Sequence, residues 1–353
     1  MNRKKVLIGI SGGIDSSTAA ATLMENGYNV EGLYIINGFP NRGEADAEFV
    51  ATQLKIPLHK IDLSDEFKRE VVDYFVAEYM DGKTPNPCIF CNKKIKFKYL
   101  LKKAREWGFD YIATGHYACI EHDIRENRFR LLKGIDGDKD QSYFLFFLSQ
   151  EELAKILFPN GDKRKEDIKM MASKIGLESL TTKESQEICF IPDNNYRRFI
   201  RRNIKAVPHP PGNIVDKKGD ILGRHSGIYS YTIGQRRGLN ISSTHPYYVL
   251  EINKTRNEII VGRIDDQEFR GLTAKDVCWV SPDYPDRQAI KAVTQIRYRH
   301  RGTSSLITPV LSDKKAFVKF IKPEKAVAPG QAAVFYHGKQ LLGGGWIEDG
   351  EQL

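Results

Sequence analysis

The sequence has few cysteines and no long apolar run, and each shortage excludes a class of protein. No stretch approaches the roughly 20 consecutive apolar residues of a membrane-spanning helix, so we expect no membrane span. The first apolar run, Val6–Ile10, is too short for a secretory signal and lacks a small-residue cleavage site, which favours a cytoplasmic protein. Five cysteines in 353 residues, an odd number, argue against a disulfide framework and leave reduced thiols that are either inert or chemically active.

Internal repeats and low-complexity tracts are also absent from the sequence. The absence of repeats excludes a solenoid and a collagen-like chain. A hydrophobic content of 41% excludes a disordered chain. A length of 353 residues exceeds one comfortable core and predicts two or three domains. We expect boundaries near residues 195 and 268, where the composition changes, and therefore domains at 1–195, 196–267 and 268–353.

The first domain alternates apolar runs with helical periodicity, a pattern typical of a parallel sheet covered by helices. The predicted strands are Val6–Ile10, Val30–Ile36, Leu58–Asp62 and Tyr111–Thr114; the predicted helices are Ser16–Glu25, Ala45–Leu54, Ile95–Trp107, Gln150–Leu157 and Lys165–Ile175; and Ala118–Lys133 is predicted to form a hairpin. From Tyr247 onward, short β-rich runs alternate with turns. The fold class is therefore α/β with a β-rich C-terminal part.

The formal charge of +9 is concentrated in one segment. Between Tyr196 and Leu250, ten basic residues accompany only two acidic ones, so this segment carries a net +8. The basic residues are Arg197, Arg198, Arg201, Arg202, Lys205, Lys217, Lys218, Arg224, Arg236 and Arg237, and the acidic ones are Asp216 and Asp220. Such a concentration is typical of a polyanion-binding module, although an ordinary solvated surface gives the same count.

A glycine-rich loop follows the first predicted strand and opens the first predicted helix. Its sequence, Ile8–Ser17, is IGISGGIDSS, so paired glycines let the backbone approach an anion while serine hydroxyls and free helix N–H groups supply donors. The loop has neither the Walker lysine nor the dinucleotide spacing. A turn with a capping serine is the alternative, but the position at a strand's carboxyl end favours a phosphate site. The loop resembles the Ser-Gly-Gly-x-Asp-Ser loop of enzymes that cleave ATP to AMP and pyrophosphate.

Three cysteines lie in segments whose neighbours favour chemistry. Cys88 and Cys91 form a Cys-x-x-Cys pair in a proline-rich segment, and Cys189 follows in the segment ESQEICFI. Since Cys91 is predicted to lie near a helix N-terminus and several lysines, we expect its thiol to have a lowered pKa and to be nucleophilic at neutral pH. No second pair exists to complete a four-cysteine zinc site, and Cys119 and Cys278 are interpreted as small buried apolar residues.

Together these segments resemble the tRNA-specific 2-thiouridylases, which exchange O2 of the wobble uridine of certain tRNAs for sulfur. After the phosphate loop, the matching motifs in the family's order are Thr84–Lys98 (TPNPCIFCNKKIKFK), Ala113–Tyr117 (ATGHY), Lys139–Leu145 (KDQSYFL), Cys189–Ile191 (CFI), Thr232–Gly238 (TIGQRRG), Arg297–Arg299 (RYR), Pro329–Tyr336 (PGQAAVFY) and Leu342–Gly345 (LGGG). The resemblance implies an N-terminal ATP-pyrophosphatase domain of the adenine nucleotide α-hydrolase type, a basic central tRNA-binding domain and a C-terminal β-barrel-like domain. It also implies a monomeric sulfurtransferase that uses ATP and Mg²⁺, binds tRNA and receives sulfur from a persulfide donor protein.

The resemblance further implies a role for individual residues. The ATP site is assigned to Gly9, Ile10, Ser11, Gly12, Gly13, Ile14, Asp15, Ser16, Ile35 and Gly115, with Asp15 also helping to hold Mg²⁺. Asn86, Pro87 and Cys88 are assigned to the target base, and His116, Lys139, Asp140, Gln141, Arg297, Tyr298 and Gln331 to tRNA. Cys189 is expected to carry the persulfide, and Cys91 to be the partner nucleophile that closes a disulfide with it.

Some of these residues have a simpler interpretation. His116 by itself is as readily a histidine of the core, but it follows a glycine at a strand's carboxyl end, which favours the nucleotide site. Arg297 and Tyr298 are equally a surface charge and a core aromatic residue. A guanidinium beside a ring is nevertheless a pairing that reads unstacked RNA bases.

Two positions depart from the family's pattern. Many members have aspartate where this chain has Cys88, so the carboxylate cast as a general acid or base is missing, although a thiol can also transfer a proton. Alternatively, Cys88, Cys91 and Cys189 together hold a [4Fe–4S] cluster whose open iron binds hydrosulfide, an arrangement that some family members resemble. Ile35 stands where the family usually has methionine against the adenine, an apolar change of similar volume.

Two hypotheses of other classes stay open. An ATP-pyrophosphatase amide ligase, such as an asparagine or NAD synthetase, would use the same loop but gives no function to Cys91, Cys189 or the basic middle segment. A non-catalytic tRNA- or phosphate-binding module would have kept the loop by descent.

Overall fold

The strands of this computed structural model form three sheets. The structure describes residues 3–39, 43–177, 180, 188–204, 210–281, 284 and 286–352. The segment Glu184–Glu187 and the basic residue Lys205 lie outside these residues. In chain order the strands are β1 (Lys5–Gly9), β2 (Asn29–Ile36), β3 (Leu58–Asp62), β4 (Tyr111–Ala113), β5 (Ala118–Asp123), β6 (Arg128–Lys133), β7 (Ile156–Leu157), β8 (Gly212–Val215), β9 (Ile221–His225), β10 (Tyr248–Asn253), β11 (Glu258–Gly262), β12 (Glu268–Trp279), β13 (Ile290–Gln295), β14 (Thr303–Val310), β15 (Lys315–Lys325), β16 (Ala332–His337) and β17 (Gln340–Gln352).

The helices belong mainly to the first 203 residues. They are α1 (Ile14–Glu25), α2 (Gly43–Leu54), α3 (Ser64–Phe67), α4 (Tyr74–Met80), α5 (Pro87–Cys91), α6 (Phe97–Trp107), α7 (Gln150–Leu153), α8 (Lys165–Lys174) and α9 (Tyr196–Asn203). Two π-helical segments, Lys68–Asp73 and Asn92–Lys96, join α3 to α4 and α5 to α6 without a break. Among the described residues, no helix combines the length and apolar character needed to cross a membrane.

The first sheet is parallel, with the order β3-β2-β1-β4-β7. The side chains of β1 alternate between two cores: Leu7 packs on the side of α6, whereas Val6 and Ile8 pack on the side of α1, α2 and α8. Because helices cover both faces, these three residues have no exposed surface. The strand order reverses at β1, so the segments that follow β1 and β4 meet at the edge where such sheets bind ligands.

The predicted elements of the first domain agree with the structure within a few residues, except for the helix over Gln150–Leu157. That helix ends at Leu153, and Ile156–Leu157 forms β7 beside β4. A capping box at Ser149 starts the helix, but pairing with β4 buries Ile156 almost completely, so a tertiary contact overrides helical continuation. The helical segment over 64–80 is absent from the prediction.

The third sheet closes into a barrel that is attached to the first domain. Its strands follow the order β12-β15-β14-β13-β16-β17, and β12 also pairs with β17. The predicted hairpin of the first domain, β5–β6, joins the outside of this sheet through the pair Gln340 and Leu132. One hydrophobic cluster contains Tyr143 and Phe146 of the first domain together with Tyr336 and Trp346 of the barrel. This shared core fixes the barrel against the first domain.

The central unit is a four-stranded sheet with the order β10-β11-β8-β9. Helix α9 precedes it and packs on the first domain, where the rings of Tyr196 and Tyr79 stack at a centroid distance of 4.8 Å. The same cluster buries Phe190 against Phe39 and Phe75, with ring centroids 5.7 and 5.5 Å apart. Since Phe190 follows Cys189 directly, this aromatic packing fixes the backbone beside that thiol.

Candidate active site

The loop after β1 is organised by its own serines. The Ser11 N–H donates to Ser16 Oγ at 3.1 Å, and Ser16 Oγ donates to Gly13 O at 3.0 Å, just where α1 begins. Gly12 has φ +81°, and a Cβ there would lie 2.7 Å from Asp46 Cβ. A side chain at Gly12 is therefore excluded both by backbone conformation and by space, which explains the glycine. The predicted phosphate loop thus lies at the N-terminus of a twelve-residue helix.

A cation and two donors converge on Asp15, in the first turn of α1. Its Oδ1 accepts from the Lys165 ammonium at 2.7 Å and from the Tyr117 hydroxyl at 2.6 Å. Asn160 Nδ2 donates to the backbone carbonyl of Asp15 at 2.7 Å and to that of Gly115 at 3.1 Å. Lys165 and Asn160 are site residues that sequence reasoning missed, because they belong to none of the quoted motifs. Tyr117 belongs to the motif ATGHY but was given no role.

Gly115 lies against the start of α1. A Cβ on it would be 2.6 Å from the carbonyl carbon and oxygen of Asp15 and 2.7 Å from the Ser16 nitrogen. Such distances are too short for any side chain, so the segment after β4 touches the phosphate loop only because this residue is glycine. The structure therefore places Gly115 beside the loop with which the resemblance grouped it.

His116 follows and belongs to a partly buried hydrogen-bond chain. Asn92 Nδ2 lies 3.3 Å from His116 Nε2, and Thr114 Oγ1 lies 2.8 Å from Nδ1. If the Asn92 amide donates, the ring carries its proton on Nδ1 and donates it to Thr114. Burial, with a contribution from the nearby charge of Lys96, lowers the pKa of His116 to about 3. The imidazole is therefore neutral at physiological pH.

The Cys-x-x-Cys pair lies at the start of a long helical segment. Asn86 caps it, since its Oδ1 accepts from the N–H groups of Cys88 at 3.2 Å and Ile89 at 3.4 Å, and Pro87 occupies the first helical position. The π-helical segment follows directly after Cys91. Because hydrogen bonds in such a turn join residues five apart, Cys91 and Lys96 come to the same face, which an α-helical turn of 3.6 residues would not allow.

Cys88, Cys91 and Cys189 all lie close enough to Lys96 for their charges to influence its pKa. Burial on its own lowers the pKa of Lys96, but the electrostatic influence of Cys91, Cys189 and Cys88 raises it above its ordinary value. Cys189 comes from a segment far along the chain, yet its charge also acts on both other thiols. All five cysteines are unpaired, and Cys88 and Cys189 are accessible to solvent although protein surrounds them. Cys88, Cys91, Cys189 and Lys96 therefore form a partly enclosed site that solvent reaches, which we call the cleft.

The expectation of a lowered pKa at Cys91 is wrong. Burial raises the pKa of Cys91 to about 12 and that of Cys88 to about 11, and burial also raises the pKa of Cys189. Lys96 acts in the opposite direction on all three, but desolvation of the thiolate is the larger effect. Cys91 is also the fifth residue of its helical segment rather than a cap. The thiols are consequently protonated at neutral pH in this conformation.

The other two cysteines are half-buried rather than fully buried as expected. Cys119 lies in β5 and Cys278 in β12, and both are partly exposed. Neither belongs to the cleft.

The thiol cluster does not have the geometry of a metal site. Within the part of the chain that the structure describes, no three or more His, Cys, Asp or Glu side chains are grouped so that they could hold a metal ion. The charge that a thiolate develops here is instead offset by the Lys96 ammonium. The absence of such a group concerns a single metal ion, so a [4Fe–4S] cluster held by Cys88, Cys91 and Cys189 stays a prediction.

Three family models match the chain in succession. They are the tRNA methyl transferase HUP domain over residues 4–193, the tRNA methyl transferase PRC-barrel domain over 197–263 and the aminomethyltransferase beta-barrel domain over 269–347. These matches confirm the predicted fold class: an α/β domain with a parallel sheet, a small central domain and a C-terminal barrel.

Curated relatives match over nearly the whole chain. tRNA-specific 2-thiouridylase MnmA 2 of Syntrophus aciditrophicus is 46% identical over 341 residues, which cover 92% of this chain and 100% of the relative. tRNA-specific 2-thiouridylase MnmA of Geotalea uraniireducens is 48% identical over 98% of this chain and 95% of its own length. The protein of that name from Geobacter metallireducens is 45% identical over 98% and 97%.

The chain belongs to the tRNA-specific 2-thiouridylase family. Membership confirms the resemblance drawn from the motifs, and it makes the protein a sulfurtransferase. The family models carry the word methyl transferase, whereas the full-length relatives carry thiouridylase. A cleft that holds three thiols accords with the second name.

Apart from His116, the residues that the 2-thiouridylase resemblance assigned to tRNA fall into two groups. In the first, Asp140 and Gln141 bind the protein itself: the Asp140 carboxylate accepts from the N–H groups of Gly134 at 3.0 Å and Ser142 at 3.1 Å, and Gln141 Oε1 accepts from the Tyr117 N–H at 3.2 Å. The Lys139 N–H donates to a carbonyl of the same loop. Contact of these three residues with tRNA stays a prediction.

The second group consists of Arg297, Tyr298 and Gln331, which belong to the barrel domain. Gln331 Nε2 donates to the Thr84 carbonyl at 2.8 Å, just before residues 86–96, which we call the catalytic loop. The half-buried ring of Tyr298 lies 4.5 Å from that of Phe144, and burial, then the charges of Asp140 and Cys88, raise the pKa of its hydroxyl. Arg297, the neighbouring residue, is exposed. Ile35, at the end of β2, packs at the edge of the aromatic cluster around Phe190.

Proposed function

We propose that the protein adenylates O2 of the wobble uridine of a tRNA with ATP and then replaces that oxygen with sulfur to give 2-thiouridine. The observation that carries the proposal is that Cys91 packs against the same hydrophobic cluster as Ile188 and Phe190, the two neighbours of Cys189. The next residue, Asn92, contacts His116 in the segment after β4 that also touches the phosphate loop. Sulfur transfer needs two thiols beside one activated base, and this cleft provides them.

ATP binds at the loop after β1. Its phosphates are held by Ser11, Gly12, Gly13, Asp15 and Ser16, with Gly9, Ile10, Ile14 and Gly115 supplying close backbone and Ile35 the apolar side toward adenine. Asp15 is a carboxylate at the edge of this loop, so it fits a Mg²⁺ ion, which would neutralise phosphate charge. The helix N-terminus adds donors to the same anion.

In the first step, O2 of the uracil ring attacks the α-phosphorus of ATP. An O–P bond forms, the bond between the α-phosphorus and the β-bridging oxygen breaks, and pyrophosphate leaves with the electron pair. The ring loses its N3 proton to solvent, so the base is left as a neutral O-adenylate. Asn86, Pro87 and Cys88 lie at the start of α5, where they would border the base.

In the second step, the terminal sulfur of a Cys189 persulfide attacks C2, and AMP leaves with the C–O electron pair. The Cys91 thiol then gives its proton to solvent, and the resulting thiolate attacks the Cys189 sulfur. The S–S bond to the transferred sulfur breaks, its electrons form the C2 thiocarbonyl, and N3 of the ring takes a proton back from solvent. A Cys91–Cys189 disulfide results, and an external thiol has to reduce it by two electrons before the next turnover. Lys96 offsets the negative charge on either thiolate.

Cys88 takes the position where many relatives of the resembled pattern have aspartate. Because burial raises its pKa to about 11, its thiol keeps its proton at neutral pH. It is therefore suited to donate a proton to a leaving oxygen.

The central domain and the barrel domain bind the tRNA. We assign catalysis to residues 1–195. We assign tRNA binding to the basic central domain, 196–267, and to the barrel domain, 268–353, which presents Arg297, Tyr298 and Gln331. His116, Lys139, Asp140 and Gln141 complete the contact from the first domain. A soluble persulfide donor protein supplies sulfur to Cys189, and the protein acts as a cytoplasmic monomer.

The experiment compares Cys91→Ser, Cys189→Ser and Cys278→Ser, the last as the control outside the cleft. We expect both cleft variants to lose thiolation at least 10³-fold while they keep pyrophosphate release dependent on cognate tRNA, because adenylation precedes sulfur transfer. Thiouridine is measured by mass spectrometry of tRNA nucleosides. Thiolation that survives in the Cys91→Ser, Cys189→Ser double variant would remove the mechanism.

Two further readouts separate the alternatives. Pyrophosphate release without tRNA would favour an amide ligase, and no release at all would favour a binding module. Iron and acid-labile sulfide that copurify anaerobically in stoichiometric amounts, and that support thiolation, would favour the cluster-dependent route over the persulfide.

A further inference from the structure

The phosphate loop has a carboxylate but no cation of its own. The segment Ile8–Ser17 contains Asp15 and neither lysine nor arginine. A triphosphate bound there meets the like charge of Asp15, and its leaving group gains further negative charge as pyrophosphate departs. The compensating charge therefore has to come from elsewhere in the fold or from a bound ion.

The structure supplies one such cation at this point, Lys165. Its ammonium lies 2.7 Å from Asp15 Oδ1 and 5.8 Å from the ring centre of Tyr117, and its side chain is only 11% exposed. A side chain so enclosed has few alternative positions, so its charge is directed at the loop rather than at bulk solvent.

The backbone of Lys165 is also fixed. Its N–H donates to Asp136 Oδ2 at 2.9 Å, and it is the first residue of α8. Ile168 and Ala172 of that helix are fully buried in the cluster that packs against α1. The helix that carries the phosphate loop and the helix that carries the cation are thus held together by an apolar core.

We propose that Lys165 is a triphosphate-binding residue: it neutralises Asp15 in the nucleotide-free protein and contacts the β- and γ-phosphates when ATP occupies the loop. The inference rests on the proposed ATP site and adds a residue to it. During adenylation the bond between the α-phosphorus and its bridging oxygen breaks, and the ammonium offsets the charge that the pyrophosphate gains. Lys165 acts here through its positive charge and takes no part in proton transfer.

The test measures calorimetric binding of two nucleotides, α,β-methylene-ATP and AMP, with Mg²⁺ present. Lys165→Met is expected to weaken binding of the triphosphate analogue at least tenfold and to leave AMP affinity within about twofold, because AMP lacks the β- and γ-phosphates. Lys165→Arg is expected to fall between Lys165→Met and the unaltered protein. Lys174→Met, in the exposed last turn of the same helix, is the matched control and is expected to bind both ligands normally.

Each outcome decides the matter. Unchanged affinity of Lys165→Met for the analogue overturns the inference, and a parallel loss of analogue and AMP overturns it in favour of a structural role through Asp15. Retained AMP binding shows at the same time that the variant is folded. If the unaltered protein binds neither nucleotide, the proposed function fails as well; if it binds ATP but never thiolates tRNA, only the proposed function fails.

Discussion

At the scale of single residues, the site depends on the close approach of two backbone segments and on side chains that desolvation keeps uncharged. Gly115 allows the segment after β4 to touch the phosphate loop. His116, the next residue, is kept neutral because burial lowers its pKa, and a hydrogen bond with Asn92 joins it to the catalytic loop. The neighbouring thiols are likewise kept protonated by desolvation. The ground state therefore holds little free charge beyond Lys96, and charge appears only as the reaction proceeds.

Gly115→Ala is expected to damage ATP binding. The new Cβ would lie 2.6 Å from backbone atoms of Asp15, so the phosphate loop or the segment after β4 has to move by several tenths of an ångström. We expect at least a tenfold loss of ATP affinity by calorimetry. Gly137→Ala is the control, because nothing lies within 4 Å of its Cβ position. Equal affinities of the two variants for ATP would contradict this account.

The buried neutral imidazole predicts a pH-dependent stability. The unfolded chain binds a proton at His116 near the ordinary pKa of 6.5, whereas the folded protein binds it only near pH 3, so stability falls as the pH drops between these values. The contribution approaches about 1.4 kcal/mol per pH unit for one proton. Urea unfolding midpoints of the unaltered protein should thus decrease more steeply from pH 6.5 to 4 than those of His116→Gln. Parallel pH dependence in the two proteins would show that the imidazole is not responsible.

At the scale of secondary-structure elements, the catalytic loop is shaped from both ends. The Asn86 cap and Pro87 start the helical segment, and the π-helical turn after Cys91 brings Lys96 to the thiols. The barrel holds the residues before the helix, since Thr84 N–H donates to the Pro329 carbonyl at 2.8 Å. Two domains thus share the positioning of one loop.

Gln331→Met is expected to slow thiolation without affecting nucleotide binding. The substitution removes the bond from Nε2 to the Thr84 carbonyl and leaves the loop less well ordered relative to the barrel. A lost hydrogen bond of about 1 kcal/mol corresponds to a roughly fivefold lower kcat at saturating tRNA and ATP. Gln352→Met, at the exposed end of β17, is the control. A fall in ATP affinity equal to the fall in kcat would contradict a role confined to this loop.

At the scale of the whole molecule, the three domains divide chemistry and electrostatic attraction between them. The shared core of the first domain and the barrel fixes the cleft, whereas the segment 196–250 carries most of the excess positive charge. Part of that charge is already balanced, as where the Lys217 ammonium lies 2.8 Å from Asp266. The exposed arginines of α9 are the better candidates for phosphate contacts.

Arg202→Gln is expected to weaken tRNA binding and to reduce its salt dependence. Loss of one phosphate contact lowers the slope of log K against log salt by about 0.7 to 0.9. Lys217→Gln serves as the control, since that ammonium is paired with Asp266 and should change the slope little. Affinities measured from 50 to 200 mM salt decide the comparison, and slopes that change equally in both variants would refute the distinction.

The sequence by itself determined the family, the parallel sheet and the chemical types of the site residues, because these depend on local patterns: apolar alternation, a glycine-rich turn and ordered motifs. Only the tertiary structure decided the environment of those residues. It brought Cys189 to Cys91, raised rather than lowered the pKa of the Cys91 thiol, and ended the helix before Ile156–Leu157 by offering a strand partner. It also revealed Lys165 at Asp15. Desolvation and contacts between distant segments arise only when the chain is packed, and no local pattern records them.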